Sequence, residues 1–183
     1  MIHLVGPGGA GKSTVGPLLA ALLGVPFHDL DASFTATHGS VDAFIDAHGY
    51  GAYAAANVRA YFSLARALDG VAALSSGFMV YPCDVEPRYA ALRARLAAAP
   101  TTVVLLPAME LEACVGETVR RQVSRGAGRT TAVRAEAKIR ERFPLYATLP
   151  ARKVATAGPP GAVAAEIAAL VEERASSLRR SAI

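Results

Sequence analysis

Long apolar runs are missing from this chain. A membrane-spanning helix needs about 20 consecutive apolar residues, and the longest candidate, Leu18 to Phe27, is interrupted by Gly24 and Pro26. Cysteine is nearly absent, since Cys83 and Cys114 alone cannot build a disulfide framework. No basic stretch leads into an apolar one at the N-terminus, so nothing reads as a secretion signal. A reducing cytoplasm is the expected compartment. Histidine is sparse, and His3, His28, His38 and His48 show none of the spacings of a metal site. His3 and His28 fall in predicted strands as core or sheet-edge residues; His38 and His48 adjoin glycines, where they could line a pocket. Lysine is rarer still: Lys12, Lys138 and Lys153 are the only lysines among 19 basic residues, the rest being arginine. No aromatic platform or DNA-binding motif accompanies these cations, so neither nucleic acid nor membrane is an expected partner.

What remains is a chain of 183 residues, 52% hydrophobic and 19% charged, with net charge +4. That composition excludes wholesale disorder, and the length suits one domain spanning 1–183. No repeat or linker divides it. A monomer is expected, with a dimer as the alternative. Arginine presents a planar fork that suits phosphate and carboxylate, although a high-GC coding bias would produce the same excess.

Periodicity places strands at Ile2–Val5, Val25–His28, Val71–Leu74, Thr102–Leu106 and Lys153–Thr156. Helices are predicted over Thr14–Leu23, with Val15, Leu18, Leu19 and Leu22 at helical spacing and Pro17 in the first turn, and over Val41–His48, closed by Gly49. Further helices follow at Ala52–Leu68, Arg88–Ala98, Leu111–Ser124, Thr131–Phe143 and Ala162–Leu178. Strands that alternate with helices imply parallel pairing and an α/β sandwich. Arg134, Lys138 and Arg142 recur every four residues, along one helix face.

The strongest signal is Gly6-x-x-x-x-Gly11-Lys12-Ser13, between the first strand and the first helix. Four specified positions should coincide by chance in well under ~1% of chains of this length and ordinary composition. Glycines let successive backbone N–H groups turn inward around a phosphate, and the following helix adds its positive end. In this reading Gly9, Ala10, Gly11, Lys12, Ser13 and Thr14 cradle ATP. Lys12 reaches the β- and γ-phosphates, and the Ser13 hydroxyl ligates Mg²⁺.

Such a loop needs an acid for its magnesium shell. The third and fourth strands end without a carboxylate, whereas the second runs into Asp29-Leu30-Asp31. Parallel strands end side by side at one edge, so Asp29 is expected to orient magnesium-bound water. Asp31 is expected to hold or deprotonate an acceptor hydroxyl. Both would equally serve as caps of a following turn. Arg120, Arg121, Arg125 and Arg129 flank a Gly-rich break, and at least one should contact nucleotide from a lid over approximately 116–131. Phe78, Met79 and Tyr81 read as core packing, or alternatively as an apolar wall of the acceptor pocket.

With these residues in place the chain resembles the shikimate kinase family, within the small P-loop metabolite kinases. The resemblance runs from Lys12-Ser13-Thr14 through Leu23-Gly24, Phe27, Asp29-x-Asp31, Gly39, Gly49 and Gly77 to Arg142-x-x-x-Tyr146 and Val154-x-Thr156. It implies a three-layer P-loop NTPase fold whose five-stranded parallel sheet has order 2-3-1-4-5, with helices on both faces and a lid. It also implies phosphoryl transfer from MgATP to a hydroxyl, with shikimate the leading acceptor. Another sugar acid, polyol or nucleotide acceptor, or a non-catalytic nucleotide-binding regulator, is the alternative. Asp31 matches the aspartate that holds the reacting hydroxyls, Arg142 the arginine on the substrate carboxylate, and Arg120 the lid arginine on ATP, with Arg121 beside it. Ser76 and Gly77 fall at the substrate-binding end of the third strand.

The chain departs from the family pattern at several positions. Ala54, after Tyr53, stands where the family has a second carboxylate-binding arginine, and Asn57 where a glutamate follows. The family's triple glycine reads Ser75-Ser76-Gly77, and the lid arginine is followed by Gln122-Val123-Ser124 instead of Pro-Leu-Leu. One arm of a charge-assisted clamp is worth on the order of 1.5–3 kcal/mol. Arg59 lies five residues beyond Ala54, about 140° round a helix, and is expected to face elsewhere.

Overall fold

The computed structural model describes residues 1–65, 69–124 and 129–181. Five strands, β1 (Ile2–Val5), β2 (Phe27–Asp29), β3 (Val71–Ala73), β4 (Thr102–Leu106) and β5 (Arg152–Ala155), form one parallel sheet of order β2-β3-β1-β4-β5. This is the order the resemblance implied. In register, Asp29 lies beside Ala73 and Ala73 beside Leu4. The carboxyl ends of β2, β3 and β1 therefore open at one edge.

Both faces of the sheet are covered, which explains why β4 reads as the apolar run Val-Val-Leu-Leu after Thr102, buried throughout. Successive side chains alternate between the faces. Ile2, Leu4, Val71, Val103, Leu105 and Val154 pack with α1 (Lys12–Leu23) and α7 (Pro160–Ser181). Val5, Ala72, Leu74, Val104 and Leu106 pack on the opposite face, with α2 (Leu30–His38), α3 (Val41–Leu64), α4 (Tyr89–Ala98), α5 (Leu111–Ser124) and α6 (Arg129–Ala147). Fully burying one such leucine or valine contributes roughly 1.5–3 kcal/mol. Among the described residues no helix is long and apolar enough to cross a membrane.

Several element boundaries differ from the sequence expectation, each for a physical reason. Helix α1 starts at Lys12, so Pro17 is its sixth residue and leaves the Ser13 carbonyl without its helical donor. Its buried face is Val15, Gly16, Leu19 and Ala20, while Leu18 and Leu22 are exposed. Helix α2 was not expected. Its Ser, Thr and Phe residues are weak helix formers, and it is held by its cap, Asp29, and by burial of Leu30 and Phe34. The predicted helices 41–48 and 52–68 are two halves of α3, broken at Gly49, whose φ of 81° is left-handed. The second half resumes at once, so Tyr50 and Tyr53 are helical and one turn apart. A 3-10 turn over Phe78–Val80 buries Phe78 and Met79, and Tyr81 follows them into the core. Helix α6 continues past Pro144 because Phe143 and Tyr146 are core residues. Residues 66–68 of the predicted helix, and Arg125 with the Gly126–Gly128 break, lie outside the described residues.

His3 and His28 make contacts within the sheet region, as expected of strand residues, while His38 lines a surface cavity with Arg59. His3 is buried against the Tyr61 hydroxyl at 3.0 Å, and His28 Nε2 meets the Asp69 carbonyl at 3.1 Å. His38 packs on Phe34 and His48 on Phe44, with ring centroids 4.7 and 4.6 Å apart.

Candidate active site

The loop after β1 turns through positive φ at Gly6, Gly9 and Gly11. A β-carbon on Gly6 would lie 2.2 Å from the Leu105 carbonyl oxygen, so the loop can leave the sheet here only as glycine. Lys12, in the first turn of α1, folds its side chain back under the loop. Its Nζ donates to the carbonyls of Gly6 at 2.7 Å and Pro7 at 3.0 Å, and the residue is only 8% exposed. Burial pulls its pKa down to about 8, against the opposing pull of Asp31 and Asp29.

Two carboxylates face this loop. Asp29 is bifunctional. One oxygen caps α2 by accepting from the backbone N–H groups of Asp31 at 2.9 Å and Ala32 at 3.1 Å. The other accepts from the Ser13 hydroxyl at 2.6 Å. The capping role and the phosphate-site role, alternatives in the sequence, are thus carried by different oxygens of one side chain. Ser13 Oγ with Asp29 Oδ2 is a hard oxygen pair of the kind that suits a small divalent cation. Asp31 lies in the first turn of α2, and its Oδ1 accepts from the Ser75 hydroxyl at 2.5 Å and the Tyr53 hydroxyl at 3.4 Å. Oδ2 has no hydrogen-bond partner among the described residues. Tyr53 remains a donor at neutral pH, because burial first and the Asp31 charge second push its pKa up to about 12.

Arg142 approaches from α6. It is 8% exposed, and its Nη1 donates to Ser76 Oγ and its Nη2 to the Tyr50 hydroxyl, both at 3.1 Å. Its Nε is buried without a partner. Tyr146, one turn on, fixes the same loop by donating to the Ser76 carbonyl at 3.1 Å. Gly77 is needed here, since a β-carbon would lie 2.5 Å from the Tyr50 hydroxyl. Tyr50, Tyr53 and Ser75 were not singled out as site residues from the sequence. The available signal was the Tyr50-Gly51-Ala52-Tyr53 spacing, which puts both rings on one helix face.

The two arginines assigned to the lid part company. Arg120 is mostly exposed and pairs with Glu117 at 2.6 Å. Arg121 lies over the phosphate loop: Nη1 donates to the Gly9 carbonyl at 2.8 Å and to Thr156 Oγ1 at 3.1 Å, and Nη2 donates to the Thr156 carbonyl. Glu117 bonds both, and Arg120 foremost holds its carboxyl down to about 2. In this structure Arg121, and not Arg120, reaches the loop. Ala54 is fully buried in the core, and Asn57 is buried beside it, accepting from the Tyr81 hydroxyl at 3.2 Å. Arg59 lines a separate cavity with Ser33, Thr37 and His38, away from Arg142.

Three cavities meet around the loop. One of about 190 Å³ is lined by Gly8 to Thr14, Asp29, Asp31 and Ser76. Another, of about 220 Å³, lies between Thr14, Arg121, Thr156 and Pro160. The third, about 320 Å³, shares Gly8 and Ser76 with the first and is walled by Arg142 and α6. This gives a phosphate channel with a basic chamber at one end.

The shikimate kinase family model matches residues 8–172. A shikimate kinase of Salinispora arenicola is 37% identical over 176 residues, covering 92% of this chain and 95% of that one. The chain belongs to the shikimate kinase family. A second relative, the shikimate kinase of Frankia casuarinae, is 35% identical over 86% of this chain and 66% of its own. Among solved structures, shikimate kinase from Acinetobacter baumannii in complex with shikimate superposes with TM-score 0.68 at 24% identity, over 94% of this chain and 93% of that one. A gluconokinase from Sinorhizobium meliloti reaches 0.59 at 17% identity, over 100% of this chain and 97% of that one. At those identities the likeness is one of fold. Membership makes this chain an ATP-using kinase that phosphorylates a hydroxyl group.

Lys12 carries a pH prediction for this kinase. Below about 8 it is an ammonium ready for the phosphates; above about 8 it is neutral in the free protein. Nucleotide binding must then take up a proton, so ATP affinity should fall by up to about tenfold per pH unit above that point. Calorimetric titration at pH 7, 8 and 9 checks this, and a flat profile would contradict the assigned role.

Proposed function

We propose that this chain transfers the γ-phosphoryl group of MgATP to a hydroxyl of a small hydroxy acid, with shikimate the first acceptor. The observation that carries this reading is the convergence of Lys12, Asp31 and the buried Arg142 on two cavities joined at Gly8 and Ser76. A phosphate loop alone fits any nucleotide enzyme. A buried guanidinium at the far end of the same channel selects an acceptor with an anionic end. The solved A. baumannii relative holds shikimate, a hydroxy acid of this kind.

Asp31 Oδ1 is occupied by Ser75 and Tyr53, so Oδ2 meets the acceptor hydroxyl and takes its proton as the oxygen attacks phosphorus. Lys12 swings from the Gly6 and Pro7 carbonyls to the β- and γ-phosphates and stabilises the charge of the transferring group. Arg142, braced by Ser76 and Tyr50, orients the acceptor carboxylate. Arg121, and Arg120 on rotation away from Glu117, cover the phosphates from α5. Ser13 and Asp29 would hold the magnesium ion, which supplies charge neutralisation between phosphate oxygens. Among the described residues no cluster of three or more His, Cys, Asp or Glu could hold a metal.

ADP production by the purified protein with MgATP, with and without shikimate over a wide range, tests the reading. Saturable stimulation is the expected result. No stimulation at millimolar shikimate, with ATP binding intact, would remove shikimate as acceptor.

A further inference from the structure

The basic chamber has more positive charge than Arg142 supplies. Arg134, Lys138 and Arg142 all line it, against the single acid Asp42. They lie at four-residue spacing on α6, so they share a face and span about 12 Å along the helix. The other cations of this region are used up. Arg140, on another face of α6, bonds Glu112 and Glu136 at 2.5 and 3.0 Å, and Arg120 bonds Glu117. Arg134 and Lys138 have no hydrogen bond or ion pair to any described residue. Two buried polar atoms on the chamber's residues also lack partners, Arg142 Nε and Thr118 Oγ1. Arg142 itself already spends both terminal nitrogens on Ser76 and Tyr50. Those bonds fix where it points and leave fewer of its donors for a ligand.

We propose that Lys138 is the second cation for the acceptor's acid group, with Arg134 extending the positive wall toward the chamber mouth. The acceptor then lies with its hydroxyl at Asp31 and its carboxylate between Arg142 and the Lys138 ammonium. This rests on the hydroxy-acid reading above and assigns its specificity. A lysine suits the position because its flexible stem lets a point charge follow the carboxylate, where Arg142 is held by Ser76 and Tyr50. An acceptor stripped of its negative charge gains nothing from Lys138.

The test is steady-state kinetics of K138M, which keeps the length of the stem and removes the charge, beside K138R and the unmodified chain, with shikimate and with its methyl ester. A hydrogen bond to a charged group is worth about a factor of ten to a hundred. K138M should therefore raise KM for shikimate about tenfold or more. Its kcat and its ATP affinity should stay within about twofold, and K138R should recover most of the loss. The methyl ester should be used poorly by all three and equally by each. Unchanged KM for shikimate in K138M overturns the proposal. So does a loss confined to ATP affinity, which would assign Lys138 to the γ-phosphate. If the unmodified chain fails to turn over shikimate, the acceptor reading fails separately. Lys138 is then judged by calorimetric titration of quinate, gluconate and malate in the presence of ADP. A hydroxy acid held about tenfold more weakly by K138M supports the proposal, and equal affinity or no binding overturns it.

Discussion

Replacing Lys12 by alanine should lower kcat by at least about a hundred- to a thousandfold, the loss typical when one preorganised donor to a developing charge is removed. Folding should survive. The ammonium is buried, and burial is the largest influence on it, drawing its pKa from 10.5 to about 8. At pH 7 both the folded and the unfolded chain carry the proton, so the full burial penalty weighs on the fold, and deleting the charge relieves it. Against this stand the lost hydrogen bonds to Gly6 and Pro7. The two effects oppose each other, and a net change of about 1 kcal/mol would move Tm by about 2–4 °C in a chain of this size. Turnover and a thermal melt, measured on the same preparation, separate the two. Retained turnover would remove the phosphate loop from catalysis. A collapse of Tm by tens of degrees would make Lys12 a structural residue first.

Asp31→Asn should cost about a hundred- to ten-thousandfold in turnover, the range of general base catalysis, with ATP affinity nearly unchanged. The amide keeps the shape and can still accept from Ser75 and Tyr53 through its oxygen. It cannot take a proton. Asp29, not Asp31, bonds the Ser13 hydroxyl, so that contact is left alone; losing the Asp31 charge lets the Lys12 pKa fall further, so ATP affinities are compared well below pH 8. Single-turnover rates and a parallel ATP titration check both halves. An unchanged rate would take Asp31 out of the proton transfer. Equal losses in rate and in ATP affinity would move its role to the nucleotide.

Much of this was legible in the chain. Gly6 to Ser13 announces a phosphate loop because its chemistry is contiguous: backbone N–H groups, one lysine and one hydroxyl within eight residues. Strand β4 announces a sheet covered on both faces because four consecutive apolar residues, Val103 to Leu106, leave no polar side. Helix α2 was not legible. Only Leu30, Ala32 and Ala36 of its nine residues favour helix strongly, and what holds it is a cap and two buried side chains. Boundaries such as the start of α1 failed by two residues, since Lys12 looks like loop chemistry and is also the first helical residue.

The acceptor side of the site was only half legible. Arg142 was identifiable by its position before Tyr146, but its supports were not. Ser76 lies 66 positions away and Tyr50 92 positions away. The Ser75 hydroxyl reaches Asp31 across 44 positions. Adjacent arginines 120 and 121 are alike in sequence, and helical rotation of about 100° per residue sends one to solvent and the other onto Gly9. By itself the sequence determined the nucleotide chemistry, the parallel α/β architecture and the acids at the end of β2, because those depend on neighbours in the chain and on local periodicity. Only the tertiary structure decided how the two oxygens of Asp29 are shared, which oxygen of Asp31 is free, which arginine covers the loop, and that three cations of α6 share one chamber with Ser76. Those are contacts between segments that meet only when the sheet is wound.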